Sequence, residues 1–149
     1  MPGKLIRRLG RDRGGAVAVL FALSASVLIG FAGLGAEVAL WYISKRAAQG
    51  AADTAAYSAL IAYHAGETAD FAATAKAVAA QYGFIDTVGG VSVAVNQPPL
   101  SGPHSGDATA IEVIISAPQA PLFSKLFLAA PTVAARAVAA AATGARLVE

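Results

Sequence analysis

Residues 14–36 run 23 positions without a charge, and the apolar pattern continues through Glu37 to Ile43. At about 1.5 Å per residue the uncharged part alone spans the roughly 30 Å hydrocarbon core of a bilayer, so residues 14–43 read as one transmembrane helix. A cleavable secretory signal shares the basic-then-apolar shape, but its apolar run is usually about 7–15 residues. Gly33-Leu34-Gly35 is also a mediocre cleavage site. The pattern favours a retained anchor.

Beyond Arg46 the periodicity stays helical. Tyr57, Leu60, Ile61, His64, Thr68, Phe71, Ala75, Val78 and Tyr82 recur at spacings of three and four, as on an amphipathic helix face. Gly66 is expected to end the first piece, Thr68 to cap a second and Gly83 to end it. A helix unbroken over residues 16–65 would be about 75 Å long. After Gly83 the period changes to two: Val91, Val93 and Val95 alternate with small residues, and Ile111, Val113 and Ile115 repeat this around Glu112. The intervening NQPPLSGPHSGDAT predicts a long exposed loop joining two strands. Residues 118–130 hold a short apolar cluster, Leu122, Phe123, Leu126 and Phe127. It is expected to pack under the sheet, or to lie against the membrane or a neighbouring subunit. Residues 131–143 have helical propensity, yet two strands need a third for stability, so strand is expected and helix is the alternative. The fold class is α+β: a long N-terminal transmembrane helix extending into an external amphipathic helix, then a small antiparallel sheet. The division is a basic leader at 1–13, the span at 14–43, an external helical region at 44–83 and a small α+β region at 84–149.

Composition sharpens this. Hydrophobic residues make up 56% of the chain and 38 residues are alanine. Alanine buries little area, which points to long helices and a thin core. The net charge of +2 conceals +4 over residues 1–13 and −3 over residues 47–149. The pI of 9.2 therefore reflects the leader and is a poor argument for nucleic-acid binding. The leader places the N-terminus in the cytoplasm by the positive-inside tendency, opposed in part by Lys45 and Arg46. There is no cysteine, so disulfides and thiolate chemistry are excluded.

Within the span Ala18, Ala22, Ser26 and Gly30 form a small-residue stripe at every fourth position, either a helix-packing face or ordinary membrane-helix composition. Glu37 falls near the outer interface beside Trp41 and Tyr42, an aromatic belt, where it serves either as an interfacial residue or in helix pairing. Catalytic chemistry finds little to use. His64 lies on the apolar stripe, expected packed or capped. His104 with Asp107 makes two metal ligands without a third, and Ser101 and Ser105 sit in a loop with no scaffold. No phosphate loop, dinucleotide fingerprint or zinc helix motif occurs. The expectation is a protein that is not an enzyme, with no catalytic residue, cofactor or metal, no small-molecule substrate and no nucleic acid, and with the lipid bilayer as one partner.

Arg11-Asp12-Arg13-Gly14-Gly15-Ala16-Val17-Ala18-Val19-Leu20-Phe21-Ala22-Leu23, then Gly30-Phe31-Ala32-Gly33-Leu34, Trp41-Tyr42 and Gln49-Gly50-Ala51-Ala52-Asp53-Thr54-Ala55-Ala56, resemble the N-terminal region of TadE/TadG-like Flp pilus assembly proteins. The match is dense over residues 7–65 and weaker through Phe123, Phe127 and Ala137-Val138-Ala139. The resemblance implies a pilin-like, bitopic component of the bacterial tight-adherence secretion system. It would lie in the inner membrane with a periplasmic C-terminal region and with pilin-like or Tad-system membrane proteins as partners. It also singles out Gln49, Ala52 and Asp53 as a family-like motif. In TadE-type pseudopilins a prepilin peptidase cuts after a Gly and a Glu stands fifth in the mature chain. A cut between Gly15 and Ala16 would here put Leu20 fifth, which brings the chain closer to the TadG type. TadG-like proteins commonly carry a von Willebrand factor A-like domain, and no Asp-x-Ser-x-Ser motif occurs in these 149 residues. The alternative expectation is a stand-alone membrane-anchored periplasmic adaptor outside any pilus.

Overall fold

The computed structural model describes residues 13–126 and 129–141, so most of the basic leader and Phe127 lie outside the described residues. Helix α1, Arg13–His64, runs 52 residues without interruption, about 78 Å. The division at residue 43 is not a structural break: no proline interrupts the helix, and Lys45, Arg46 and the alanines after them are strong helix formers. Ala65 N–H donates to Ile61 O, and Gly66, with φ +99°, lets Glu67 N–H turn back to Ala62 O and close the helix.

Helix α2, Phe71–Gln81, starts later than expected. Thr68 does not cap it; a turn in which Asp70 and Phe71 N–H both donate to Glu67 O occupies that place, leaving Asp70 as the flanking residue. Gly83, at φ +88°, follows the end of α2 as expected.

The buried face of α1 also differs from the aromatic stripe. Ala48, Ala51, Ala52, Ala55, Ala56, Ala59, Leu60 and Ala62 form it, whereas Tyr57 and Ile61 are 62% and 53% exposed and His64 is exposed. On α2, Ala75 and Ala79 are buried and Tyr82 faces outward. Alanines lack the bulk to hold a neighbour away, so backbone elements approach closely and dispersion contacts accumulate along the whole seam. On α1 the stripe thus falls on the exposed side except at Leu60, whereas on α2 it finds the packed side, with Ala75 buried and Phe71 and Val78 against the core.

Three strands form an antiparallel meander: β1 Ser92–Asn96, β2 Ala110–Pro118 and β3 Thr132–Ala140, with β2 central. The third element is therefore a strand. Pairing with β2 from Ala110↔Ala140 to Pro118↔Thr132 fixes its register and overrides its helical propensity. Ile111, Val113, Ile115 and Ala117 share one face with Val93, Val133, Ala135 and Ala137 and join the alanine face of α1 in the core. Gln49 Nε2 donates to Arg136 O at 2.9 Å, tying α1 to strand β3. Lys76 Nζ lies 2.8 Å from Asp86, whose other oxygen accepts Val93 N–H at 2.9 Å, fastening α2 to β1.

Three external carboxylates are held below their ordinary range. For Asp86 the chief cause is the Lys76 hydrogen bond, and for Asp107 the Thr109 hydroxyl. At Glu112 burial pushes upward but is outweighed by hydrogen bonds from Asn96, Leu100 N–H and Arg136. A depressed folded-state pKa gives stability that is full above the unfolded value, about 4, and is lost as pH falls through the folded value. The urea midpoint of the external domain should therefore be flat near neutrality and fall below about pH 4. Asp86→Asn should remove part of that slope; a midpoint that rises on acidification would contradict these contacts.

Candidate membrane-spanning and helix-packing site

Among the described residues α1 is the one helix long and apolar enough to cross a membrane, and none of its most apolar window is buried. Leu20, Phe21, Leu28 and Phe31 are all more than 60% exposed. A continuous collar of that kind is a liability in water and is expected in lipid.

The small-residue stripe lies along this collar. Ala18, Ala22 and Ser26 are exposed and Gly30 is half-exposed, with nothing within 4 Å of a Cβ placed on it. Ser26 Oγ donates to Ala22 O at 2.9 Å, so its hydroxyl is satisfied inside the helix. At about 100° per residue these positions share a face with Gly33, Glu37, Ala48, Ala51 and Ala55. One seam of small residues thus runs along α1. Its upper half is covered by this chain's own sheet and loop, and its lower half is left open by the described residues.

The cover begins at Glu37, which is only 2% exposed. Its carboxylate is not left at an interface: Oε1 accepts Leu122 N–H and Ser124 Oγ, each at 2.8 Å, and Oε2 accepts Phe123 N–H at 3.0 Å and Ser124 N–H at 2.8 Å. Four donors fill the acceptor capacity of one carboxylate. The donors belong to the start of a short 3-10 turn, Ser124–Leu126, whose first amides have no partner within the turn. Below Glu37, a Cβ on Gly33 would come within 2.7–2.8 Å of the Phe123 ring, so only glycine admits the ring there. Within the apolar cluster, Phe123 therefore docks on α1, not under the sheet, while Phe127 lies outside the described residues. Trp41 is half-buried, and Tyr42 is exposed with the Arg46 guanidinium 5.9 Å from its ring centre.

Gly15 and Ala16 lie in the first turns of α1, both exposed. Of the family-like motif, Ala52 is buried, while Gln49 donates both to Arg136 O and to Asp53 on the exposed side, each at 2.9 Å.

A second polar centre lies on the outer face of the sheet. Glu112, fully buried on β2, accepts Asn96 Nδ2 at 2.9 Å, Leu100 N–H at 3.2 Å and Arg136 Nε. Arg136 also donates to Ser101 O, and Pro99 is buried. The Pro/Gly-rich loop is thereby folded down over the sheet. His104 Nδ1 stands 3.8 Å from Asp107, but among the described residues no group of three potential ligands forms. Ser105 Oγ donates to Leu100 O. The polar centres present saturated hydrogen bonds, an arrangement that holds segments in place.

The Glu37 partners Leu122, Phe123 and Ser124, the seat of the Phe123 ring on Gly33, and the Glu112–Arg136 pair escaped the sequence reading. The available signals were an acid inside an apolar run, which needs donors, and an acid inside a Val/Ile strand followed by one arginine in the next strand. Comparison with family models, curated proteins and solved structures finds no match for the chain.

Proposed function

We propose that the chain is a bitopic inner-membrane, minor-pilin-like component of Flp/Tad pilus assembly or secretion, acting through helix packing and subunit contacts. The observation that carries the reading is the seam on α1, closed against the chain's own sheet above and open from Ala18 to Gly30 below. In lipid, where no hydrophobic drive brings helices together, such faces allow the close backbone approach that lets them pack. The join of a long anchor helix to a small antiparallel sheet is also the pilin-like arrangement that the N-terminal resemblance implies. Exposed Tyr57 and Ile61, one turn apart on the external part of α1, offer apolar area for subunit contacts.

Ala22, Ser26 and Gly30 are each replaced by leucine in turn, and the full chain is extracted with its native membrane and purified. Co-purification of pilin-like membrane proteins by the parent, and its loss in the leucine variants, is the expected outcome. A solitary parent monomer, or partners retained by all three variants, would sink the assembly reading and favour a stand-alone periplasmic adaptor.

A further inference from the structure

The connection between β2 and β3 is far longer than a hairpin needs. Thirteen residues separate Pro118 from Thr132, which are themselves paired, and Gln119 N–H donates to Pro131 O at 2.8 Å to close the base. Antiparallel strands are commonly joined by two to five residues, and longer connections are usually functional. This one projects along α1 and reaches Gly33, which lies inside the uncharged run of residues 14–36 that defines the span. The Phe123 ring therefore stands about 4–5 Å below the last uncharged residue of that run. Leu122 is 65% exposed and Phe123 47% exposed, and both lie beside an apolar collar that needs lipid around it.

Lipid-exposed irregular backbone is excluded from the hydrocarbon core, so a loop at this height belongs to the interface at its edge, where amides turned towards the helix still need partners. Here the amides of Leu122, Phe123 and Ser124 and the Ser124 hydroxyl all end on the Glu37 carboxylate. The same contacts account for an acid in an apolar run, since the donors neutralise the cost of placing it there.

We propose that residues 121–124 form a wedge at the edge of the outer leaflet's hydrocarbon, with the Leu122 and Phe123 side chains inserted among the acyl chains, Lys125 at headgroup level and Glu37 as the anchor of its backbone. The wedge fixes the height and rotation of the external domain on the membrane. It rests on the reading of α1 as a span and is independent of any role in a pilus.

The absence of cysteine makes the test direct, because one introduced thiol carries the only nitroxide. Leu122→Cys, Phe31→Cys and Leu100→Cys chains are spin-labelled and reconstituted in phosphatidylcholine/phosphatidylglycerol bilayers, and collision with oxygen and with a water-soluble nickel chelate is measured. Leu122 is expected to match Phe31, with high oxygen and low nickel access, and to exceed Leu100 in their ratio several-fold. Nickel access at Leu122 equal to that at Leu100 would place the wedge in water, and low access to both reagents would place it against protein; either overturns the proposal. Water-like access at Phe31 would instead overturn the span itself. Glu37→Ala should shift Leu122 towards nickel while leaving Phe31 unmoved, and an unchanged Leu122 would remove Glu37 from its anchoring role.

Discussion

Glu112→Ala is expected to destabilise the sheet domain by about 3–5 kcal/mol, the cost of leaving several donors that converge on one enclosed carboxylate without their acceptor. The carboxylate is completely enclosed, and three donors converge on it from three segments: Asn96 at the end of β1, Leu100 in the Pro/Gly-rich loop and Arg136 on β3. Its removal leaves the Leu100 amide and the Arg136 side chain without their acceptor and frees the loop to leave the sheet. Arg136→Ala should cost a similar amount, because it leaves the fully enclosed Glu112 carboxylate without its cation and with only Asn96 and Leu100 still donating to it. The double variant should cost less than the sum of the two, since each single change already breaks the shared contact. Urea unfolding of the reconstituted full chain, followed by near-ultraviolet circular dichroism, measures all three. Against a total of about 5–15 kcal/mol for a typical domain, Glu112→Ala brings a small one near its limit. A Glu112→Ala midpoint indistinguishable from the parent would mean that the loop, not the pair, carries the outer face.

The difference between what the sequence revealed and what it concealed follows the range of the interactions. The uncharged run and the glycines at 66 and 83 act locally, so α1 and the end of α2 were legible from neighbouring residues alone. The alternations Val91/Val93/Val95 and Ile111/Val113/Ile115 report one buried face each, so the two strands were legible as well. For residues 132–140 local propensity and tertiary pairing disagree, and only the need of a two-stranded sheet for a third strand favoured the observed outcome. The Glu37 contacts join residues 85–87 positions apart, and the Glu112–Arg136 contact 24. No periodicity encodes such pairs. The alanine seam was concealed for another reason: its importance lies in what it admits, and small residues give a weak signal wherever hydrophobic size is the measure.

That seam makes the strongest demand on packing. Ala55 and Ala51 are both fully buried on the face of α1 turned to the core, where Ala135 and Ala137 of β3 are buried as well. Ala55→Leu inserts a branched side chain where alanines line both sides, and neither a helix backbone nor a paired strand yields by rotamer adjustment. The expected cost is about 1–3 kcal/mol or more, and adding Ala51→Leu on the adjacent turn should exceed it, since both insertions enter the same core cluster. Ala22→Leu on the open part of the seam should leave unfolding of the sheet domain unchanged, because none of the described residues lies over it. The contrast separates a general dislike of leucine in α1 from a requirement for contact. Displacing β3 from α1 also acts at a distance: the Gln49 bond to Arg136 O and the four bonds from residues 122–124 to Glu37 span the same interface. Amide exchange at Leu122, Phe123 and Ser124 should therefore accelerate in Ala55→Leu although Glu37 is intact. Unchanged protection there would mean that the loop holds to α1 independently of the sheet, and that helix, sheet and the loop between β2 and β3 are not one mechanical unit.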